Sequence, residues 1–391
     1  MVEASEAGSI PAVSRGAGYI GTTMVPDVQP WSRGVTFARA TAVVMVVVLH
    51  GAIPYALAEL PSLKWHVREP AARVFDVLFW ACYACATPLF SALAGFLAAG
   101  SVDRHGPGPW ARERIRRLGV PLVAGTLLVM PLTYLVWLRA WTLRGLAKPD
   151  HLLLGNFAPG LERALWGLGH LWYLEYVLVL SLGFALLRRA GTAGEATRGR
   201  TPPAAVVGAG ALLTALILML EPGVMLDFRN SFVPDLAKLA YHGVFFGVGA
   251  SLWAHRDAWE RVRAWAWAAV PAAGLCLWLL IARIDAGRGG REPWLGVAGA
   301  AYVWSALAGI AGLGTLLRHG RVTGLISRAS FTTYILHLPV LAAVQLALMG
   351  AGLSPWLKLG AGVGVTLGVC LALHAALSRG RQGWVLGARD G

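Results

Sequence analysis

The sequence predicts an all-α integral membrane protein, a bundle of about ten transmembrane helices with both termini in the cytoplasm. Three observations lead there. Of 391 residues, 57% are hydrophobic and only 14% charged, against about 25% charged in soluble domains. The chain therefore has too little polar surface to cover itself in water. Apolar runs of about 20 residues, the length that crosses a bilayer, recur along it from residue 35 to residue 377. Lys and Arg gather in alternate loops, which is how a multi-pass protein sets its orientation.

The runs fall at 35–57, 73–99, 119–138, 168–187, 203–221, 235–254, 265–284, 294–317, 329–349 and 355–377. With the N-terminus inside, 20 Lys and Arg face the cytoplasm and 11 the other side. An odd number of crossings would scramble that asymmetry, so an even count is expected. The 17 tryptophans suit membrane interfaces, and the 48 glycines suit close approach of apolar helices. The spacing Gly243-x-x-x-Gly247 reads as one such helix contact. Residues 1–32 are expected to be a disordered cytoplasmic tail, 33–378 the membrane domain and 379–391 a cytoplasmic C-terminal tail. The longest pieces outside the membrane, 139–167 and 188–202, are too short to be independent domains. The expected location is a cell membrane, inner or plasma.

In a soluble protein, a net charge of +14 would suggest nucleic acid. Here it is the by-product of basic cytoplasmic loops, and no nucleic-acid partner is expected. Cys82 and Cys85 have the spacing of a redox or metal pair but lack a second pair to complete a site. No His, Cys or carboxylate cluster has metal-ligand spacing, so no metal is expected.

Ionisable groups inside a bilayer are costly, which makes each one a functional candidate. Ten residues separate Arg39 from His50 on the first helix. Eleven steps of about 100° return to one helix face, and the two side chains lie about 16 Å apart along the axis. A long anionic molecule could hold its phosphates near Arg39 while its reactive end reaches His50. A neutral imidazole there could take a proton from a hydroxyl. The plainer alternative has Arg39 reaching lipid headgroups and His50 bonding a neighbouring helix. Arg112, Arg114, Arg116 and Arg117 crowd the inner loop before the third helix. They could form a phosphate cradle, or serve only topology and anionic-lipid contact.

The stretch Gly169-His170-Leu171-Trp172-Tyr173-Leu174-Glu175-Tyr176 puts stacking and hydrogen-bonding groups at the outer start of the fourth helix. His170, Trp172 and Tyr173 could dock a sugar, or belong to an interfacial aromatic belt. Glu175 could orient an imidazole, as carboxylates do in hydrolytic triads, though no particular imidazole is indicated. Tyr334 and His337 lie three apart on one helix face and are candidates for substrate contact or for helix packing. A second reading of these groups is a permease, with a proton or substrate pathway through His50, Glu175 and His337. The absence of a visible internal repeat weakens it.

Taken in order, these segments resemble the membrane acyltransferase-3 family, and within it the periplasmic-glucan acyltransferase branch. The Arg39 to His50 spacing is similar to the family's first-helix motif. Pro88-Leu-Phe-Ser-Ala-Leu-Ala-Gly95-Phe-Leu resembles its second helix, and Arg112 to Pro121 its basic loop. Gly169-His-Leu-Trp-Tyr-Leu and Ser330-Phe-Thr-Thr-Tyr-Ile-Leu-His-Leu-Pro look like two further signatures. The resemblance implies ten helices, an acyl-coenzyme A donor (acetyl- or succinyl-coenzyme A) on the cytoplasmic side, and O-acylation of a carbohydrate or lipid-linked acceptor. It implies a catalytic role for His50, with Arg39 and the 112–117 arginines binding the donor. One departure is Ala94, which stands where the family carries a serine; Ser91 lies three positions earlier.

Overall fold

The computed structural model describes residues 30–60, 62–147, 165–191, 201–228, 230–258, 260–286, 293–317, 320–380 and 385. Of the tails expected at 1–32 and 379–391, only 30–32, already helical, and 379, 380 and 385 fall among these; most of 139–167 and 188–202 lies outside them. Among the described residues there is no strand. Ten principal helices follow the ten apolar runs: α1 Pro30–Ala52, α2 Arg73–His105, α3 Pro107–Leu143, α4 Trp172–Arg189 and α5 Pro203–Leu220. They continue with α6 Leu236–Leu252, α7 Glu260–Ala286, α8 Pro293–Leu316, α9 Arg321–Leu348 and α10 Pro355–Arg379.

Nine of them are long and apolar enough to cross a membrane. The exception is α6, whose 17 residues span about 26 Å at 1.5 Å per residue, slightly less than a hydrocarbon core of about 30 Å. It packs its backbone directly on α2. A Cβ added to Gly95 would lie 1.9 Å from the Phe246 carbonyl oxygen, and one on Gly249 would lie 2.0 Å from that of Ala92. The expected Gly243–Gly247 contact is therefore displaced by a fraction of a turn. Gly247 faces open space, Gly243 meets only the Leu180 side chain, and Gly249 makes the crossing.

The arginine-rich stretch 112–117 is not a loop. It forms the opening turns of α3, a helix of 37 residues that widens to π geometry at Ile115–Gly119 and again at Gly125–Val129. Each wide stretch ends two residues before a proline, Pro121 or Pro131. Proline cannot donate to the carbonyl four residues back, and its ring crowds that group. A local i→i+5 register absorbs the misfit without breaking the helix. The sequence pattern placed the start of α3 at 119 because apolar periodicity begins there; the helix begins twelve residues earlier.

The core is centred on α1, which packs against α2, α8, α9 and α10. Its Ala42, Val43 and Val47 are fully enclosed. By contrast α7 turns Trp265, Trp267 and Trp278 outward, as expected of a helix bathed in lipid. Between α1 and α2 the chain doubles back in a tied-down segment. The Asp76 carboxylate accepts hydrogen bonds from the Leu57 and Ala58 amides at 3.0 and 2.8 Å. Arg144 donates to the carbonyls of Trp65 and His66 at 3.1 and 3.0 Å, and Lys358 bonds Glu69 at 2.8 Å. His66 lies flat on Trp137, ring centres 5.4 Å apart. Its burial pushes the imidazole pKa down to about 3, so at neutral pH this segment carries no charge there.

Candidate functional site

Two prolines set the site's local geometry. Pro54, just past the end of α1, has no N–H for the carbonyl of His50 four residues back. Gln345 of α9 takes that carbonyl instead, donating from Nε2 at 3.0 Å, while its Oε1 accepts from Trp65 Nε1 at 3.2 Å. Pro339 within α9 likewise frees the carbonyl of Ile335, and His170 Nε2–H fills the vacancy at 2.9 Å. Backbone groups that a straight helix would use internally thus hold His50, Trp65 and His170 in fixed positions.

His50 Nδ1 lies 2.8 Å from the Val46 carbonyl oxygen and 3.2 Å from His337 Nε2. A carbonyl only accepts, so Nδ1 carries the proton and Nε2 keeps its lone pair. That nitrogen has no hydrogen bond among the described residues. His50 is part of the wall of a cavity of about 750 Å³. Trp65 stacks on the imidazole, ring centres 5.6 Å apart and planes 17° apart. His337 and His170 continue the row, with ring centres 5.0 Å apart at each step.

The cavity sits at the end of the bundle opposite Arg112–Arg117. Its wall takes Phe79 and Tyr83 from the start of α2 and Trp137 from the far part of α3. His170, Trp172 and Glu175 join it at the start of α4, as do Glu221, Asp227, Asp235 and Lys238 between the end of α5 and the start of α6. Tyr173, Tyr334 and His337 stand behind this wall. Each is buried, the Tyr334 hydroxyl donates to the His170 carbonyl, and the Tyr173 hydroxyl meets Ser91 Oγ at 3.0 Å. Ser91 also donates to the Thr87 carbonyl at 2.9 Å and lies 3.2 Å from His242 Nδ1. It is the polar joint of α2, α4 and α6, one turn from Ala94. Glu175 reaches no imidazole by hydrogen bond among the described residues.

Arg39 does not reach outward to headgroups alone: its Nη2 donates to Ser330 of α9 at 3.2 Å. The α3 arginines are unequal. Arg114 lies over the Trp110 ring at 5.5 Å and Arg117 pairs with Glu113, whereas Arg112 and Arg116 are exposed. Sequence reasoning missed Trp65 and Gln345, and met Ser91 only as a neighbour of Ala94. The signal available for Gln345 was an amide in an apolar run; for Trp65 there was none.

At the cavity, the backbone of Gly169 favours glycine. Its φ is +53°, and a Cβ there would lie 2.2 Å from the Met130 methyl carbon. Left-handed geometry costs a non-glycine residue about 1–2 kcal/mol. Gly169→Ala is therefore expected to lower thermal stability and to displace His170. A melting temperature equal to wild type in the same detergent would contradict this.

The family model described as "Acyltransferase domain" matches residues 33–375. No curated protein and no solved structure matches the chain.

Proposed function

Because the chain belongs to the membrane acyltransferase-3 family, we propose that it moves an acyl group from a cytoplasmic acyl-coenzyme A to a hydroxyl of a carbohydrate or lipid-linked acceptor. The resemblance to the periplasmic-glucan branch makes a glucan the first acceptor to try. The observation that carries the reading is the state of His50, a residue of the cavity wall: Nδ1 is fixed as a donor, and Nε2 has no hydrogen bond among the described residues. A base so held can take the acceptor's proton as its oxygen attacks the thioester carbonyl, and then return it to the departing thiol. The membership decides between enzyme and permease in favour of the enzyme.

In this reading Trp172 offers a face on which a sugar ring stacks, with His170 and Glu175 beside it. Arg39, Arg112, Arg114, Arg116 and Arg117 hold the donor's phosphates on the cytoplasmic side. The donor's arm spans the roughly 16 Å of α1 between Arg39 and His50. The test is thiol release from acetyl- and succinyl-coenzyme A by purified protein in lipid, with a glucan mixture as acceptor. Arg116→Ala is expected to raise the donor KM by about tenfold, the loss of one charge-assisted phosphate contact of about 1.5 kcal/mol, with little change in kcat. An unchanged KM would return this stretch to topology and lipid contact. Arg114→Ala is a poorer probe, because it also removes a ring contact with Trp110.

A further inference from the structure

We infer that His337 is a positioning residue for His50: an uncharged, enclosed imidazole that fixes which nitrogen of His50 carries the proton. This rests on the reading of His50 as the base. The argument runs through two carbonyl groups. His337 Nδ1 lies 2.8 Å from the carbonyl oxygen of Tyr334, three residues back on α9. That oxygen can only accept, so Nδ1 bears the proton, and in the neutral ring Nε2 is a lone pair. This lone pair lies 3.2 Å from His50 Nδ1, which is itself 2.8 Å from the Val46 carbonyl oxygen. The reverse assignment, with His337 Nε2 donating, would leave a lone pair on His50 Nδ1 against the Val46 carbonyl. Two carbonyls at the ends of the chain of contacts thus admit one arrangement: His50 Nδ1–H shared between Val46 and His337, and His50 Nε2 unprotonated.

His337 has no exposed surface, so it meets no acceptor directly. The titratable groups around the pair are His170 from the start of α4 and Tyr334 on α9 itself. Among the described residues no carboxylate or cation hydrogen-bonds either ring. Hydrolytic triads orient their histidine with a carboxylate. Within a bilayer a buried carboxylate is costly, and a neutral ring nitrogen gives the same orientation without a charge. During transfer the acceptor's proton moves to His50 Nε2, the new C–O bond forms and the C–S bond breaks. The thiolate then takes that proton from Nε2. The Nδ1 proton stays throughout between Val46 and His337.

The test compares His337→Leu with His337→Gln in purified enzyme. A glutamine side-chain oxygen can accept from His50 Nδ1–H; leucine cannot. Leu is expected to lower kcat by about 10- to 100-fold, the scale seen when partners that orient metal-bound imidazoles are removed. KM for donor and acceptor should stay near wild type, and Gln should restore kcat to within a few-fold. Wild-type kcat in the Leu variant, or equal loss in both variants, would overturn the assignment. Should neither variant fold, the nitrogen chemical shifts of ¹⁵N-labelled His50 in the wild-type protein decide. They are expected to report the Nδ1–H tautomer, and the Nε2–H tautomer would refute it. His50→Ala run alongside separates the two claims. If that variant is inactive, contrary His337 results count against positioning alone; if it is active, the base itself is misassigned.

Discussion

Replacing His50 by alanine should reduce acyl transfer by about 10²- to 10⁴-fold, the contribution of a well-placed general base, while the protein still inserts and purifies as wild type. The substitution also strips His337 Nε2 of the donor at His50 Nδ1 and removes the ring stacked on Trp65. An unsatisfied buried polar atom costs about 1–3 kcal/mol, so some loss of thermal stability is expected alongside. His50→Gln separates the two effects. Its amide N–H can still donate toward Val46 or His337, but it has no basic nitrogen. Gln should therefore be as inactive as Ala and more stable. Assays use both acyl-coenzyme A donors, with melting temperature measured on the same preparations. Activity above a tenth of wild type in either variant would remove His50 from the chemistry.

The bundle was largely legible in the sequence because lipid imposes a strict rule: each crossing must be a long apolar helix. The ten runs reappear as ten helices for that reason. What failed was the edge of α3, since Arg112–Arg117 is polar and only the continuity of the backbone reveals it as helix. His50 was legible as an imidazole in an apolar run, and His337 likewise. Their meeting was not, because 287 positions separate them. The same holds for Gln345 and Trp65, joined across 280 positions. A finer clue was present and passed over: Pro54 and Pro339 each stand four residues after a carbonyl that the site uses, those of His50 and Ile335. Proline placement in a membrane helix marks where a backbone oxygen is free to take a side chain from another helix.

Gly95→Ala should be the most damaging small change in the fold, and Gly247→Ala, on α6 itself, should be harmless or mildly stabilising. At Gly95 the added carbon would lie 1.9 Å from the Phe246 carbonyl oxygen and 3.0 Å from its Cα. Backbone cannot rotate aside as a side chain can, so α2 and α6 must separate by more than an ångström. The reciprocal contact of Gly249 with Ala92 opens with it. One turn away, Ser91 and His242 are 3.2 Å apart, and that bond does not survive such a shift. Overpacking alone costs about 1–3 kcal/mol, to which about 1 kcal/mol for the lost hydrogen bond is added. Gly247 has nothing within 4 Å of its added carbon, and alanine in a helix is favoured over glycine by roughly 0.5–1 kcal/mol. The two variants thus carry the same chemical change with opposite expected signs. Thermal unfolding in one detergent, with monodispersity on size exclusion, reads both. If Gly95→Ala unfolds no earlier than Gly247→Ala, the α2–α6 crossing is not at backbone contact, and the Ser91 joint beneath the cavity has to be redrawn.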